Sequence, residues 1–301
     1  MVLLERIRMH SFLKAVGFDK IGNIKLEDIL SQVVDQPNYM NMAEDSQGNT
    51  FVEFSKDFGE SIGITVCGGY SENEEFQMDY YYPYFRGNRV TSEESIEIER
   101  HSEKESYAAV CDELKVGVTL VFYLQNVAEY LQEKSKWKKG FKPQLSATLA
   151  GLASEGKILL PIIKSEKQIL ENEKTTQTRN HLIAAAREGD EDAIESLTLE
   201  DIDTYSMLSR RIVNEDIFSI VDTSFMPYGI ESDQYAVLGE ILNVSQTTNR
   251  ITDQKIYSMT IDTNDLIYDI CINEDDLLGV PEVGRRFKGK IWLQGMVKVR
   301  N

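Results

Sequence analysis

Cysteine and histidine, the residue types most used for nucleophilic and metal chemistry, are few in this chain and lie far apart. The six residues are Cys67, Cys111, Cys271, His10, His101 and His181. No two of them stand at the CxxC, HxxxH or HExxH spacings that bring zinc ligands together. The sequence therefore predicts no metal, no cofactor and no catalytic residue, and it leaves open whether the protein is an enzyme.

Cys67 is the best candidate for a nucleophile, because it ends an alternating strand and precedes Gly68 and Gly69. Backbone amides in such a glycine turn could stabilise an oxyanion. No neighbouring residue supplies a base, however. We therefore favour a small apolar strand residue ahead of a turn.

Two clusters of carboxylates, NEDD at 273–276 and LEDID at 199–203, are candidates for binding Mg²⁺ or Ca²⁺. Neither has the EF-hand spacing with its central glycine and final glutamate. We interpret both as solvated acids, one at a turn and one at a helix start. The sequence also contains no Walker loop and no GxGxxG motif, so the common phosphate-binding loops are absent.

A run of aromatic residues, MDYYYPYF at 78–85, is a candidate binding surface. In a strand, Tyr80 and Tyr82 share one face and Tyr81 lies on the other, and Pro83 is expected to end the hydrogen-bonded ladder. Tyrosines on both faces would suit recognition of a sugar, a peptide or a protein. The favoured alternative is that they cover the core and reach solvent at its rim.

The basic stretch VGRRFKGKIWLQGMVKV at 283–299 is a second candidate binding surface. If Ile291 faces the core, Trp292 lies on the opposite face of a strand that follows Arg285 and Arg286. A tryptophan among cations could stack on a base, a sugar or an aromatic side chain.

Charge argues against nucleic acid and membranes as partners. The chain holds 50 acidic and 32 basic residues, a net charge of −18, which repels phosphate backbones and anionic membrane surfaces. Residues 235–301 hold eight bases and nine acids. We therefore favour an internal seam, in which the basic stretch meets the acidic central helices and Trp292 packs there. The expected partner is a protein, and a small-molecule ligand stays open.

The location expected from the sequence is the cytoplasm. Three dispersed cysteines are typical of a reducing compartment. The first residues lack the apolar core of a signal peptide, and the longest apolar run is too short to span a bilayer. Because MHSFLKAVGF at 9–18 resembles a natural start, residues 1–8 are interpreted as an extension.

The predicted fold class is α+β, in three units. Residues 1–163 form an α+β domain with an antiparallel sheet and helices, 164–230 a polar linker and acidic helical connector, and 231–301 a small β module that is either an OB-like barrel or a meander. Alternating apolar residues predict strands at 62–66, 76–82, 96–98, 115–123, 217–225, 235–244, 255–261, 267–272 and 290–299.

Capping residues divide the acidic central region into helices. Gly189 is expected to end one helix and Asp190 to cap the next. Thr198 and Asp201 fit a capping box, which predicts the start of a further helix there.

Three stretches carry a resemblance to a known family: MHSFLKAVGF at 9–18, the run from DAIESLTLEDIDTYSMLSRRI to DIFSIVDTSFMPYGIESDQYAVLGEI at 192–241, and GVPEVGRRFKGKIWLQG at 279–295. Together they resemble an uncharacterised bacterial family, the domain of unknown function numbered 3881. The resemblance covers nearly the whole chain apart from residues 1–8. It implies a bacterial, cytoplasmic protein and supplies no catalytic residue.

The function that these patterns favour is a non-enzymatic cytoplasmic interaction protein. The alternative is an enzyme or small-ligand binder with its pocket between the two folded units, where such sites often lie.

Overall fold

The computed structural model describes residues 9–19, 21, 23–71, 73–100, 105–113, 115–138, 140–162, 175, 178–179, 181–186, 188–212 and 220–300. The predicted extension at 1–8, His101 and most of the predicted linker lie outside the described residues.

The main helices are α1 (Asn23–Asp35), α2 (Val127–Ser135) and α3 (Glu191–Ile212), with 3-10 turns at Leu13–Val16 and Glu274–Asp276. The strands are β1 (Tyr39–Glu44), β2 (Thr50–Asp57), β3 (Ile62–Tyr70), β4 (Phe76–Phe85), β5 (Ile96–Arg100), β6 (Tyr107–Glu113), β7 (Val118–Leu124), β8 (Leu145–Leu159), β9 (Ser224–Pro227), β10 (Gln234–Thr248), β11 (Lys255–Thr263), β12 (Leu266–Asn273), β13 (Leu277–Leu278) and β14 (Arg286–Val299).

The fold is mostly β, with 48% strand and 20% helix. The predicted mixture of helices with an antiparallel N-terminal sheet is confirmed. The strand share is larger than predicted because β1, β2, β6 and β8 were not among the predicted strands.

The N-terminal sheet has four antiparallel strands in the order β1-β2-β3-β4. Its inner strand β3 is buried on both faces. Ile64 and Val66 are buried on one face, and Thr65 and Cys67 are buried on the other. Helix α1 packs against β2 and β3, and α2 packs against β1 and β2. The side chains from Ile62 to Cys67 are therefore excluded from solvent, whereas Tyr70 at the end of β3 is exposed.

The remaining strands form a ten-stranded mixed sheet in which five strands close a ring. β8 pairs with β12, β12 with β11, β11 with β10, β10 with β14, and β14 again with β8. The β8–β14 pairing runs from Arg286↔Leu159 to Val299↔Leu145. Since β8 comes from the first predicted unit, this sheet crosses the predicted boundaries. The division into three units stays a prediction.

A second part of the same sheet runs from β14 through β7 and β6 to β5. Within the described chain, β5 pairs with β6 alone, so its other edge is free of strand partners. Just before β5, Ser92 forms an isolated bridge to Ala147 of β8. Beyond that bridge, β5 and the start of β8 border an open slot.

Pro83 does not end its strand, so that prediction was wrong. β4 continues to Phe85, and Pro83 pairs with Ile64 of β3. β4 is the last strand of its sheet, where the missing proline N–H costs no ladder hydrogen bond. The strand can therefore tolerate proline in its interior.

The helix cap predicted at Thr198 was also wrong, whereas the cap at Asp190 is confirmed. Asp190 Oδ1 accepts a hydrogen bond from the Ala193 amide at 3.1 Å, at the start of α3. Thr198 lies inside that helix, where its hydroxyl donates to the Ile194 carbonyl at 2.8 Å. A threonine in this position satisfies its own hydroxyl and leaves the helix unbroken.

No helix in the described ranges is both long enough and apolar enough to cross a membrane.

Candidate functional site

The three predicted tyrosines lie in a mostly buried layer. Tyr82 is 2% exposed and Tyr81 9% exposed. The Tyr82 hydroxyl donates to the Gln125 carbonyl and the Tyr80 hydroxyl to the Glu105 carbonyl, each at 2.8 Å. These tyrosines tie β4 to neighbouring elements and present little ring surface to a partner.

Trp292 is buried as well, although it lies on the face of β14 opposite Ile291. Its ring lies 4.7 Å from His10, 5.5 Å from Phe12 and 5.2 Å from Tyr123, measured between centroids. Its Nε1 donates to Asp233 Oδ2 at 2.6 Å. The neighbours of Trp292 are therefore the first described residues and β7.

Two residues, Tyr123 and His10, connect Trp292 to the predicted tyrosines. Tyr123 lies 4.8 Å from Tyr82, and the His10 amide donates to the Tyr81 hydroxyl at 2.9 Å. Burial lowers the pKa of His10 to about 4, so this imidazole is neutral at pH 7. The cluster is an aromatic core between the two sheets.

The two predicted arginines bind backbone and a local acid. Arg286 is 5% exposed, and its guanidinium donates to the Leu160 and Val221 carbonyls, both at 3.0 Å. Arg285 forms an ion pair with Glu282 at 2.9 Å. These contacts hold the segments that enter and leave the ring of strands.

A buried row of polar side chains crosses the N-terminal sheet on the face toward α2. Register places Glu53 of β2, Cys67 of β3 and Tyr80 of β4 side by side. Glu53 Oε2 accepts the Ala128 amide at 3.0 Å, and burial raises the pKa of this carboxyl to about 8. Glu53 thereby takes the place of a side-chain cap for α2, which the cap residue Asn126 does not supply.

The carboxyl of Glu53 is a neighbour of Cys67 that the sequence could not reveal, since the two residues meet only through strand register. Cys67 has no exposed surface, and burial raises the pKa of its thiol well above the usual value. The thiol is therefore protonated and screened from substrates. This row can hold a proton but is not open to a reactant.

Residues of the acidic cluster at 273–276 form a hydrogen bond and an ion pair within the protein. Asn273 caps the 3-10 turn by accepting the Asp275 amide at 3.1 Å, and Asp276 pairs with Lys14 at 2.9 Å. Across the part of the chain that the structure describes, no group of three or more His, Cys, Asp or Glu residues is arranged to hold a metal ion.

An open concavity lies between β5 and the start of β8, a cleft of about 630 Å³. We call it the β5 cleft. Its lining consists of Glu93, Glu94, Ser95, Ile96, Glu97, Ile98, Glu99, Tyr130, Lys134, Trp137, Phe141, Lys142, Pro143, Gln144, Leu145 and Arg300. One wall is the free edge of β5, and the other is α2 with the segment that leads to β8.

The second wall of the β5 cleft carries a series of aromatic rings. Tyr107, below the cleft, lies 6.1 Å from Tyr130, which lies 5.9 Å from Trp137. Trp137 in turn lies 6.4 Å from Phe141, whose side chain is 57% exposed. Rings that pack edge to face in this way form a rigid apolar platform at low cost in side-chain entropy.

The first wall is acidic on its outer side. Ile96 and Ile98 pack toward the core, whereas Glu97 and Glu99 are exposed on the opposite face of β5. Neither glutamate has an ion-pair partner within the described part of the chain. The cleft also contains cations: Arg300 pairs with Glu93 at 2.8 Å, the Lys134 ammonium lies 5.5 Å from the centroid of the Tyr130 ring, and Lys142 lines the second wall.

The alternation of Ile96 and Ile98 with glutamates predicted the strand β5 but not the cleft beside it. Periodicity identifies a strand without showing whether it lies at the edge of a sheet. Trp137 and Phe141 lie in the stretch KWKKGF, which shows neither the helical nor the strand period. The signal available in the sequence is the alternation of acidic with β-branched residues, because charged side chains are common on edge strands.

Comparisons with known proteins identify a family and nothing beyond it. No curated protein and no solved structure matches the chain. Residues 13–295 match the model of the family described as "Domain of unknown function, E. rectale Gene description (DUF3881)". That match covers nearly the whole chain and includes most of the residues of the three stretches on which the resemblance was based. The chain belongs to this family.

Proposed function

We propose that the protein is a non-enzymatic binding protein and that the β5 cleft binds a polypeptide partner. The observation that carries the proposal is the position of the cleft, which combines a free strand edge with a wall of aromatic rings. Backbone groups at such an edge offer hydrogen bonds to another chain, and aromatic residues are enriched at protein interfaces.

The alternative, a small-ligand site between the folded units, has weaker support. A polar hollow does lie between the N-terminal sheet and the ring of strands, lined by Arg86, Asn88, Thr260 and Asp269 among others. Its volume is about 80 Å³. Typical ligand pockets measure roughly 300–1,000 Å³, so this hollow suits ordered water better than a substrate.

The same proposal includes a cytoplasmic location and an OB-like C-terminal barrel. The three cysteines support the location, since all are free and buried. The closed pairing of β8, β12, β11, β10 and β14 supports a small barrel, although β8 comes from outside the predicted module. The acidic charge of the chain supports a protein partner in preference to nucleic acid.

A display library of random peptides tests the proposal. We expect the purified protein to select peptides, and the double variant Trp137→Ala, Phe141→Ala to bind them at least about tenfold more weakly, because the aromatic wall is lost. Tyr70→Ala is the matched control, since Tyr70 is 42% exposed and lies outside the cleft lining. Failure to select any peptide, or equal losses in the double variant and the control, would contradict the proposal.

A further inference from the structure

We infer that the occupant of the β5 cleft is an extended segment with alternating apolar and basic residues, which adds to β5 as a further strand. This inference rests on the proposed function and adds the conformation and chemistry of the partner.

The backbone of β5 provides the first argument. Among the strands that the structure describes, β5 is the last on its side of the sheet, and it pairs with β6 from Ile96↔Cys111 to Arg100↔Tyr107. In an antiparallel pair, the N–H and C=O groups of alternate residues point away from the partner. The outer groups of β5 therefore face the cleft, where an extended chain can satisfy them.

The faces of β5 set the side-chain pattern of the added strand. Ile96 and Ile98 lie opposite the buried residues Cys111 and Ala109, so this face continues the core. A neighbouring strand places alternate side chains beside these isoleucines, and there apolar residues are favoured. The intervening side chains lie beside Glu97 and Glu99 on the outer face.

Charge complementarity selects basic residues for that outer face. Glu97 and Glu99 lack ion-pair partners in the described chain, and opposite charges on neighbouring strands stabilise the pair. A second copy of the protein is a poorer occupant, because two copies of β5 would place glutamates beside glutamates. Charged residues can also serve to protect an edge from aggregation, but protection alone does not need an adjacent aromatic wall.

Synthetic peptides of about eight residues, long enough to span β5 at roughly 3.4 Å per residue, provide the test. We expect a Val/Lys alternating peptide to bind measurably in isothermal titration calorimetry. A peptide of the same composition, with its valines and lysines in separate blocks, should bind at least about tenfold more weakly. N-methylation of alternate amides should abolish binding in one of the two registers, because it removes backbone donors.

A charge exchange tests the outer face. The double variant Glu97→Lys, Glu99→Lys should no longer bind the Val/Lys peptide and should instead bind a Val/Glu peptide. Glu195→Lys with Glu231→Lys is the control of equal charge change, since both residues are exposed and lie outside the cleft lining. Circular dichroism confirms that each variant is folded.

The outcomes separate this inference from the proposed function. Equal binding of alternating and block peptides, or no binding of either, overturns the added strand. If library peptides still bind through Trp137 and Phe141, the polypeptide-binding function stands without it. If the library selects nothing, the proposed function fails and the inference falls with it.

Discussion

At the scale of single residues, Glu53 is a buried carboxyl with one unpaired oxygen. It is fully buried, its Oε1 has no hydrogen-bond partner, and its Oε2 accepts the Ala128 amide. Burial disfavours the charged form more strongly than the amides of α2 favour it, so the pKa rises from 4.5 to about 8. At pH 7 this carboxyl is mainly protonated.

Glu53 should make the protein more stable in mild acid than at alkaline pH. The folded state binds a proton that the unfolded state releases at a pKa of 4.5, so this stabilisation is complete below that pH and is lost as pH rises through about 8. Glu53→Gln, which cannot ionise, should remove this dependence. It should also raise the free energy of unfolding above pH 8 by a few kcal/mol, because a tenfold change in proton affinity corresponds to about 1.4 kcal/mol.

Urea unfolding between pH 4 and pH 9 measures the effect of Glu53. Glu133→Gln is the control, because Glu133 is exposed and pairs with Lys136 at the surface of α2. The same pH slope in Glu53→Gln and in the unsubstituted protein would show that Glu53 does not control it.

The residue-scale features that the sequence could not predict all depend on register or on distant contacts. Cys67 looked like a nucleophile without a base because Glu53 is fourteen positions away and meets it only across β2 and β3. Alternation places Trp292 on the face opposite Ile291, but its hydrogen bond to Asp233 and its ring contact with His10 need the folded chain. Alternation of apolar and polar residues predicts on which face of a strand a side chain lies, but it does not predict which residues pack against that face.

At the scale of elements, a single side chain continues a strand ladder. β7 pairs with β14 only at Gln294↔Tyr123 and Gly295↔Leu124. Beyond that point, the side chain of Asn126 takes over: its Oδ1 accepts the Val297 amide at 3.0 Å, and its Nδ2 donates to the Val297 carbonyl at 2.9 Å. The amide of asparagine thus mimics the backbone of a neighbouring strand.

Asn126→Ala should lower the free energy of unfolding by about 2–4 kcal/mol, because it leaves a buried N–H and a buried C=O of Val297 unpaired. Asn126→Asp keeps the acceptor and loses the donor, so its cost should differ and should grow as the carboxyl ionises. Asn41→Ala, at an exposed position of β1, should change stability by less than about 0.5 kcal/mol. Equal effects of the two alanine substitutions would refute this role of Asn126.

Elements with clear alternation were predicted, and the missed strand β8 shows why others were not. β3, β5, β10, β11, β12 and β14 were all predicted, with boundaries shorter than observed. β8 is rich in alanine and glycine, which have low strand propensity. Its small residues are required by packing: a Cβ at Gly156 would lie 2.4 Å from the ring of Phe287 and one at Gly151 3.0 Å from Ile291.

At the scale of the whole molecule, the paired strands β8 and β14 connect the two parts of the large sheet. They pair with each other over almost their full lengths, and they also border β12 on one side and β7 on the other. The ring of strands and the part of the sheet that runs through β7 to β5 therefore share β14, and β8 pairs with β14 along both parts. Loss of either strand opens both parts and exposes their apolar faces.

This sharing predicts that the chain from β5 to β14 unfolds as one cooperative unit. We expect a single transition in urea, with coincident curves from circular dichroism and tryptophan fluorescence. The two tryptophans report from different places, since Trp137 lines the β5 cleft and Trp292 lies between the two sheets. Different transitions by circular dichroism and by tryptophan fluorescence would support the three-unit division instead.

A fragment of residues 9–163 gives the sharper form of this test. It contains β1 to β8 but lacks β14, the strand against which β8 pairs from Leu145 to Leu159. We expect it to be partly unfolded and to expose apolar surface, because β8 would lose its partner and the buried row from Leu149 to Ala153 would face solvent. Adding residues 220–300 as a separate chain should restore a folded complex. A fragment that folds alone, with native-like dispersion in its NMR spectrum, would show that the first unit does not need β14.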